Sequence, residues 1–189
     1  MLYEWMKYDP YLDGFPPKEQ NLKLPNSLFF IVQNTSVLLF DWMAYNQNIM
    51  IVSEKFLTLL KDYVHEDCFE TSVLTTVSKN EKKLNISSQY YAIRVDKYDD
   101  SLFDISEQGK KRAIGLRDTF LYPNISLKES IQKEIFFLSK FCYLQSIILT
   151  QSIKEIIVKK CYAPEIYKIE DFPYVYNNKF DLDKLPNVV

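Results

Sequence analysis

Short apolar runs separated by polar turns dominate the chain, and long periodic stretches are few. Residues 28–33 (LFFIVQ) and 37–43 (VLLFDWM) are rich in Val, Phe and Leu and predict two strands. Asn34-Thr35-Ser36 suits a turn between them, and Tyr45-Asn46-Gln47-Asn48 supplies the next. Ile49–Val52 reads as the end of a buried strand. Ser53 follows, placed to accept a backbone N–H as a helix N-cap. Phe56, Leu59, Leu60 and Tyr63 then recur at steps of three and four, the mark of one helical face. Residues 69–78 and 88–96 bracket the polar turn Lys79–Asn85 and predict an antiparallel hairpin with a longer loop.

The same construction returns late in the chain. Ile147-Ile148-Leu149 is a strand end, and Thr150 stands where Ser53 stood. Ile153, Ile156 and Ile157 take the offsets of Phe56, Leu59 and Leu60 from the cap, and Glu165–Ile169 predicts the strand that follows. Ser152 with Glu155 offers a competing capping box, but the repeat favours Thr150. Between the two units the pattern is weaker. Ala113–Tyr122 predicts a strand, and Ser126 with Glu129 a capping box opening a helix to about Lys133. Periodicity leaves Ile135–Leu138 open between helix and strand. Residues 1–27 carry Trp5, Tyr8, Tyr11 and Phe15 among prolines, and predict an irregular arm with one short strand near Leu2–Met6.

Composition narrows the class. At 189 residues with 47% hydrophobic positions, the chain fits one domain with ample core, 1–27 as arm and 28–189 as body. A net charge of -2 with mixed signs supplies no basic stripe, so a nucleic-acid partner is not expected. The start MLYEWMKYDPYLDG lacks a basic region and an apolar core, unlike a signal peptide, and no stretch of about 18 apolar residues suggests a membrane helix. Three glycines, Gly14, Gly109 and Gly115, are too scattered to cradle a phosphate. The three cysteines, Cys68, Cys142 and Cys161, form no Cys-x-x-Cys pair and read as reduced, buried thiols.

Candidate chemistry is sparse. His65, the one histidine, lies three residues from Cys68, but structural zinc needs four ligands and catalytic zinc three, so neither metal nor cofactor is expected. The position of His65 suits a helix end. No cysteine has a nucleophile motif around it and no Gly-x-Ser-x-Gly elbow exists, so the chain does not read as an enzyme. The densest acidic segment holds Asp96, Asp99, Asp100, Asp104 and Glu107; it lacks the EF-hand pattern and reads as a solvated loop or a partner surface. Trp5 and Trp42 are packing residues or interface anchors.

Three segments carry a resemblance. MIVSEKFLTLLKDY (50–63), YYAIRVDKYDDSLFD (90–104) and EIFFLSKFCYLQSIILTQSIKEIIVKKCYAPEIYKI (134–169) resemble, in that order, the valine–serine helix, the acidic-ended strand and the closing part of bacterial immunity proteins of polymorphic toxin systems, in the related groups numbered eleven and forty-three. The resemblance runs over 50–105 and 134–176, leaves 106–133 unmatched, and favours a strand at Ile135–Leu138. Cys161-Tyr162-Ala163-Pro164 stands where it leads one to expect a glycine-bearing turn. It implies a cytoplasmic antidote that binds and occludes a cognate toxin domain, with no catalytic residues to carry over. Many such toxins act on nucleic acid and present cationic surfaces, so it makes Asp96, Asp99, Asp100, Asp104 and Glu107 the expected contacts, with Trp42 next. The expected fold is α+β: a mixed, mainly antiparallel sheet, two short capped helices in repeated strand–helix–strand units, and the aromatic arm. A structural or scaffold interaction module is the alternative, and an enzyme without a recognisable motif the third reading. The oligomeric state is not legible.

Overall fold

The computed structural model describes residues 23–32, 38–45, 49–80, 82–115, 119–128, 131–139, 143 and 146–178. The fold is α+β, with a mainly antiparallel set of strands and three short helices among the described residues. Contacts divide the chain into two compact units, residues 1–97 with 156–164 and residues 98–155 with 165–189.

The first unit is built on a five-stranded sheet in the order β1-β4-β5-β3-β2. Its strands are β1 (Ser27–Ile31), β2 (Trp42–Ala44), β3 (Ile49–Ser53), β4 (Phe69–Val77) and β5 (Tyr90–Val95). β1 runs parallel to β4, and every other pairing is antiparallel. All five residues of β3 are buried, which explains why its sequence is continuously apolar and does not alternate. One face is closed by a cluster that includes Leu28, Phe30, Ile51, Leu74 and Tyr90. Helix α1 (Glu54–Tyr63) packs against β3 and β5. Ser53 caps α1 as the sequence predicts, its Oγ accepting the Phe56 N–H at 3.2 Å. Phe56, Leu59 and Leu60 are buried, joined by Leu57, whereas Tyr63 at the last turn is 37% exposed. The β4–β5 hairpin matches its prediction.

The expected strand over 37–43 shrinks to Trp42–Ala44. Leu38 and Phe40 are irregular because the Tyr90 hydroxyl engages their carbonyls, at 2.8 and 3.1 Å, and both residues pack on the sheet's core cluster. The predicted arm strand near Leu2–Met6, the turn Asn34–Ser36 and Cys142 lie outside the described residues.

The second unit holds a two-tiered ribbon. β6 (Phe103–Ile105) pairs with β9 (Ile125–Leu127), and between them in sequence β7 (Lys111–Arg112) pairs with β8 (Phe120–Leu121). Gly109 at φ 73 and Gly115 at φ 84 take the left-handed conformations its bends require. Phe103, Ala113, Leu121, Phe136, Leu138 and Tyr143 form the core beneath it. The predicted helix from Ser126 is absent among the described residues: Ser126 lies in β9 opposite Asp104, because ladder pairing satisfies the backbone that a local cap would have served. β10 (Ile135–Phe136) pairs with β11 (Ile148–Leu149), so Ile135 begins a strand.

Helix α2 (Gln151–Lys160) follows β11 directly through Thr150, repeating the order of β3, Ser53 and α1. Ile153 and Ile157 are buried, while Ile156 is only half-buried. No strand forms over Glu165–Ile169: its alternation finds no partner among the described residues, and the chain passes through a 3-10 turn at Ile169–Asp171 into helix α3 (Phe172–Asn178). Pro173 is tolerated there because it occupies the first turn, where an N–H has no helical acceptor. The Phe172 ring stacks on Tyr143, with centroids 5.2 Å apart.

Candidate functional site

The acidic segment divides into bound and exposed carboxylates. Asp99 is pinned: its Oδ1 accepts Lys133 Nζ at 2.6 Å, its Oδ2 accepts the Phe137 N–H at 3.0 Å, and its own N–H donates to the Phe137 carbonyl at 2.7 Å. Asp100 accepts the Ser139 N–H on both oxygens, at 3.2 and 2.9 Å. These two side chains fasten the segment to residues 137–139, where β10 ends and the backbone needs acceptors. Asp104 and Glu107 differ. They are 70% and 68% exposed, with Lys128 3.9 Å from Asp104 and Lys110 2.5 Å from Glu107.

Asp96 and Trp42 belong to the first unit. Asp96 is exposed just past β5, and its N–H donates to the Cys68 carbonyl at 2.7 Å. Trp42 is half-buried on β2, its Nε1 donating to Met50 Sδ at 3.1 Å. The register sets Trp42 opposite Val52, itself opposite Tyr91, so Trp42 and Asp96 stand roughly 16 Å apart along the strands and are not one patch.

The polar cluster that sequence reasoning missed surrounds Asp41. It is buried at 6% exposure at the entrance to β2. The Ser53 hydroxyl donates to it at 2.5 Å, the Tyr162 N–H at 2.6 Å, and Lys55 Nζ lies 2.8 Å away. Burial alone would push the Asp41 carboxyl up, but Lys55, Ser53 and Tyr162 together hold it below its ordinary value. The signal was legible: a lone Asp in the apolar run VLLFDWM requires partners if the run is buried. Ser53 therefore has two roles, accepting from Phe56 and donating to Asp41. A parallel arrangement starts α2, where Glu134 bonds the hydroxyls of Thr150 and Ser152, the latter at 2.6 Å, and these hold its carboxyl below the usual range.

Burial, with the Asp41 charge adding to it, pushes the Cys161 thiol up to about 11, so it stays protonated and is a poor nucleophile at neutral pH. His65 is 82% exposed and bonds Asp67 Oδ1 through Nδ1 at 2.7 Å. Lys97 and His65 hold the Asp67 carboxyl down at about 2. Among the described residues no group of three or more His, Cys, Asp or Glu is placed to hold a metal ion.

The sequence model of the family described as Immunity protein 43 matches residues 1–184. The chain belongs to that family. No curated protein and no solved structure matches it. The Immunity protein 43 match extends over stretches that the resemblance read from local motifs left out, residues 1–49 and 106–133 among them. The second of these contains β7, β8 and β9, so the ribbon lies within the stretch that defines the family. Among the described residues of this immunity-family chain, no helix is long and apolar enough to cross a membrane.

Proposed function

We propose that this member of the Immunity protein 43 family binds a cognate bacterial toxin domain in the cytoplasm and neutralises it by covering its active surface, without catalysis. The observation that carries the reading is the family match over residues 1–184. The site chemistry agrees with a binding role: the Cys161 thiol is held protonated, and the exposed carboxylates Asp104 and Glu107 project from a ribbon anchored by Phe103 and Leu121. Fixed surface carboxylates speed encounter with a cationic partner and oppose its charges. Asp96 and Trp42 are further proposed contacts from the first unit. Asp99 and Asp100 act one step back, by fixing the backbone from which the segment projects.

The test is co-expression with the toxin encoded beside this chain, together with size-exclusion chromatography of the mixed purified proteins. Restored growth and a stable stoichiometric complex are the expected results. Continued killing with both proteins folded, or separate elution of the two, overturns the proposal.

A further inference from the structure

We infer that the β7–β8 hairpin is a second contact surface, and that it takes an acidic protein surface with an apolar recess. The inference rests on the toxin-binding reading and assigns that surface to the same toxin domain.

The run Lys110-Lys111-Arg112 is a local cluster of positive charge in a chain of net charge -2. The structure separates its members. Lys110 is neutralised by Glu107 and lies 4.5 Å over the Phe120 ring centroid. Lys111 and Arg112 are exposed, and no ion pair with a described carboxylate neutralises either. Arg112 stands opposite Phe120, which is 36% exposed, and Ile114 just beyond is 71% exposed. Lys111 and Arg112, with no ion-pair partner among the described residues, therefore flank exposed apolar groups on the two strands.

The described backbone on either side of the β7–β8 connection is tied by hydrogen bonds. The Ala113 N–H donates to the Thr119 carbonyl at 2.9 Å. Asn177 on α3 bonds it twice, its Oδ1 accepting the Ile114 N–H at 2.9 Å and its Nδ2 donating to the Arg112 carbonyl at 3.1 Å. Leu121, opposite Lys111, is fully buried and anchors the pair. Strand-end backbone fixed in this way loses little conformational entropy on binding. Arginine beside an aromatic, with an aliphatic group in reach, is the composition of interface hot spots.

The charge decides the partner. Lys111 and Arg112 displace few counterions, too few for useful affinity to a nucleic-acid backbone, whereas they match carboxylates rimming an apolar pocket. Asp104, earlier on the same ribbon and 3.9 Å from Lys128, carries the opposite sign. A partner must present cationic and then anionic surface in that order, which fixes one orientation of docking.

The test uses the full chain and the purified toxin domain encoded beside it, with association and dissociation rates measured at two salt concentrations. Lys111→Glu with Arg112→Glu should weaken binding roughly ten-fold, more at low salt, through slower association. Lys111→Gln with Arg112→Gln should give an intermediate loss, and Ile114→Ser should raise the dissociation rate several-fold, roughly as expected for an interface anchor. Melting temperatures should match wild type, since these side chains are exposed. If wild-type chain fails to bind the toxin domain, the proposed function falls and this inference with it. If wild type binds and the double Glu variant binds equally well, this inference alone falls. Binding of a short DNA duplex by wild type at physiological salt, lost in the double Glu variant, also overturns it and reassigns the hairpin to nucleic acid.

Discussion

Asp41 is a carboxylate in an apolar run, and its neighbours make that position stable. Its ordinary value is 3.8, and Lys55, Ser53 and the Tyr162 N–H hold the folded-state value lower. A carboxyl lowered on folding contributes stability that is fully present above its unfolded value and is lost as pH falls through the folded value. Asp41→Asn should therefore cost about 1.5–3 kcal/mol near neutral pH, the range for hydrogen bonds to a charged group. The gap from wild type should narrow below about pH 4. Urea unfolding near neutrality and in acid measures this, and a gap of constant size would contradict it. Ala163 offers a second test. It holds φ 37, left-handed backbone that favours glycine, at the place where a glycine-bearing turn was expected. Left-handed alanine is strained by about 1–2 kcal/mol, and glycine's extra unfolded-state freedom offsets only part of that. Ala163→Gly should raise the melting temperature, and a fall would show that the turn is not strained.

At the scale of elements, the two strand–helix units share an order but differ at the hydroxyl residue that joins strand to helix. Ser53 is 2% exposed and bonded to both Phe56 and Asp41. Thr150 is less buried, and Ser152 bonds the same Glu134. Ser53→Ala should cost about 2 kcal/mol or slightly more, the top of the range for caps, because it also leaves the buried carboxylate short of a donor. Thr150→Ala, which removes a hydroxyl bonded to Glu134 and Ser152, should cost about 0.5–1 kcal/mol. Equal losses in chemical denaturation would remove the distinction. The helix faces differ likewise: Leu60 is fully buried, whereas Ile156 is half-buried. A truncation at Leu60 creates a cavity, and one at Ile156 largely exposes a surface that solvent already reaches.

For the whole molecule, the acidic segment holds bonded and exposed carboxylates, and charge reversal separates the two kinds. Asp99→Lys with Asp100→Lys removes the acceptors of the Phe137 and Ser139 N–H groups and places cations beside Lys133, so a clear fall in melting temperature is expected, roughly 2 kcal/mol or more of stability. Asp104→Lys with Glu107→Lys should leave the melt nearly unchanged and slow association with the toxin domain, most at low salt. Thermal melts beside binding kinetics at two salt concentrations resolve the pairs. A stable Asp99 and Asp100 variant would show that those bonds are dispensable.

Local signals determined the parts whose cause is local. The cap at Ser53, the buried offsets Phe56, Leu59 and Leu60, the continuous run of β3 and the β4–β5 hairpin were readable because a helix end, an apolar period and a polar turn act within a few residues. The family was readable only through the resemblance of whole segments, since no single residue carries a chemistry that names it. Tertiary structure decided the rest. Ser126 entered a strand because β6 supplied its ladder, and Glu165–Ile169 did not because no described neighbour supplied one. Leu38 and Phe40 left the sheet when the Tyr90 hydroxyl, some fifty residues away in sequence, engaged their carbonyls. Asp99 and Asp100 became structural while Asp104 and Glu107 stayed exposed, although all four look alike in the sequence. For Ser126, Leu38, Phe40, Asp99 and Asp100 the deciding partner is distant along the chain, and a backbone or carboxyl group takes the conformation in which its hydrogen bonds are met.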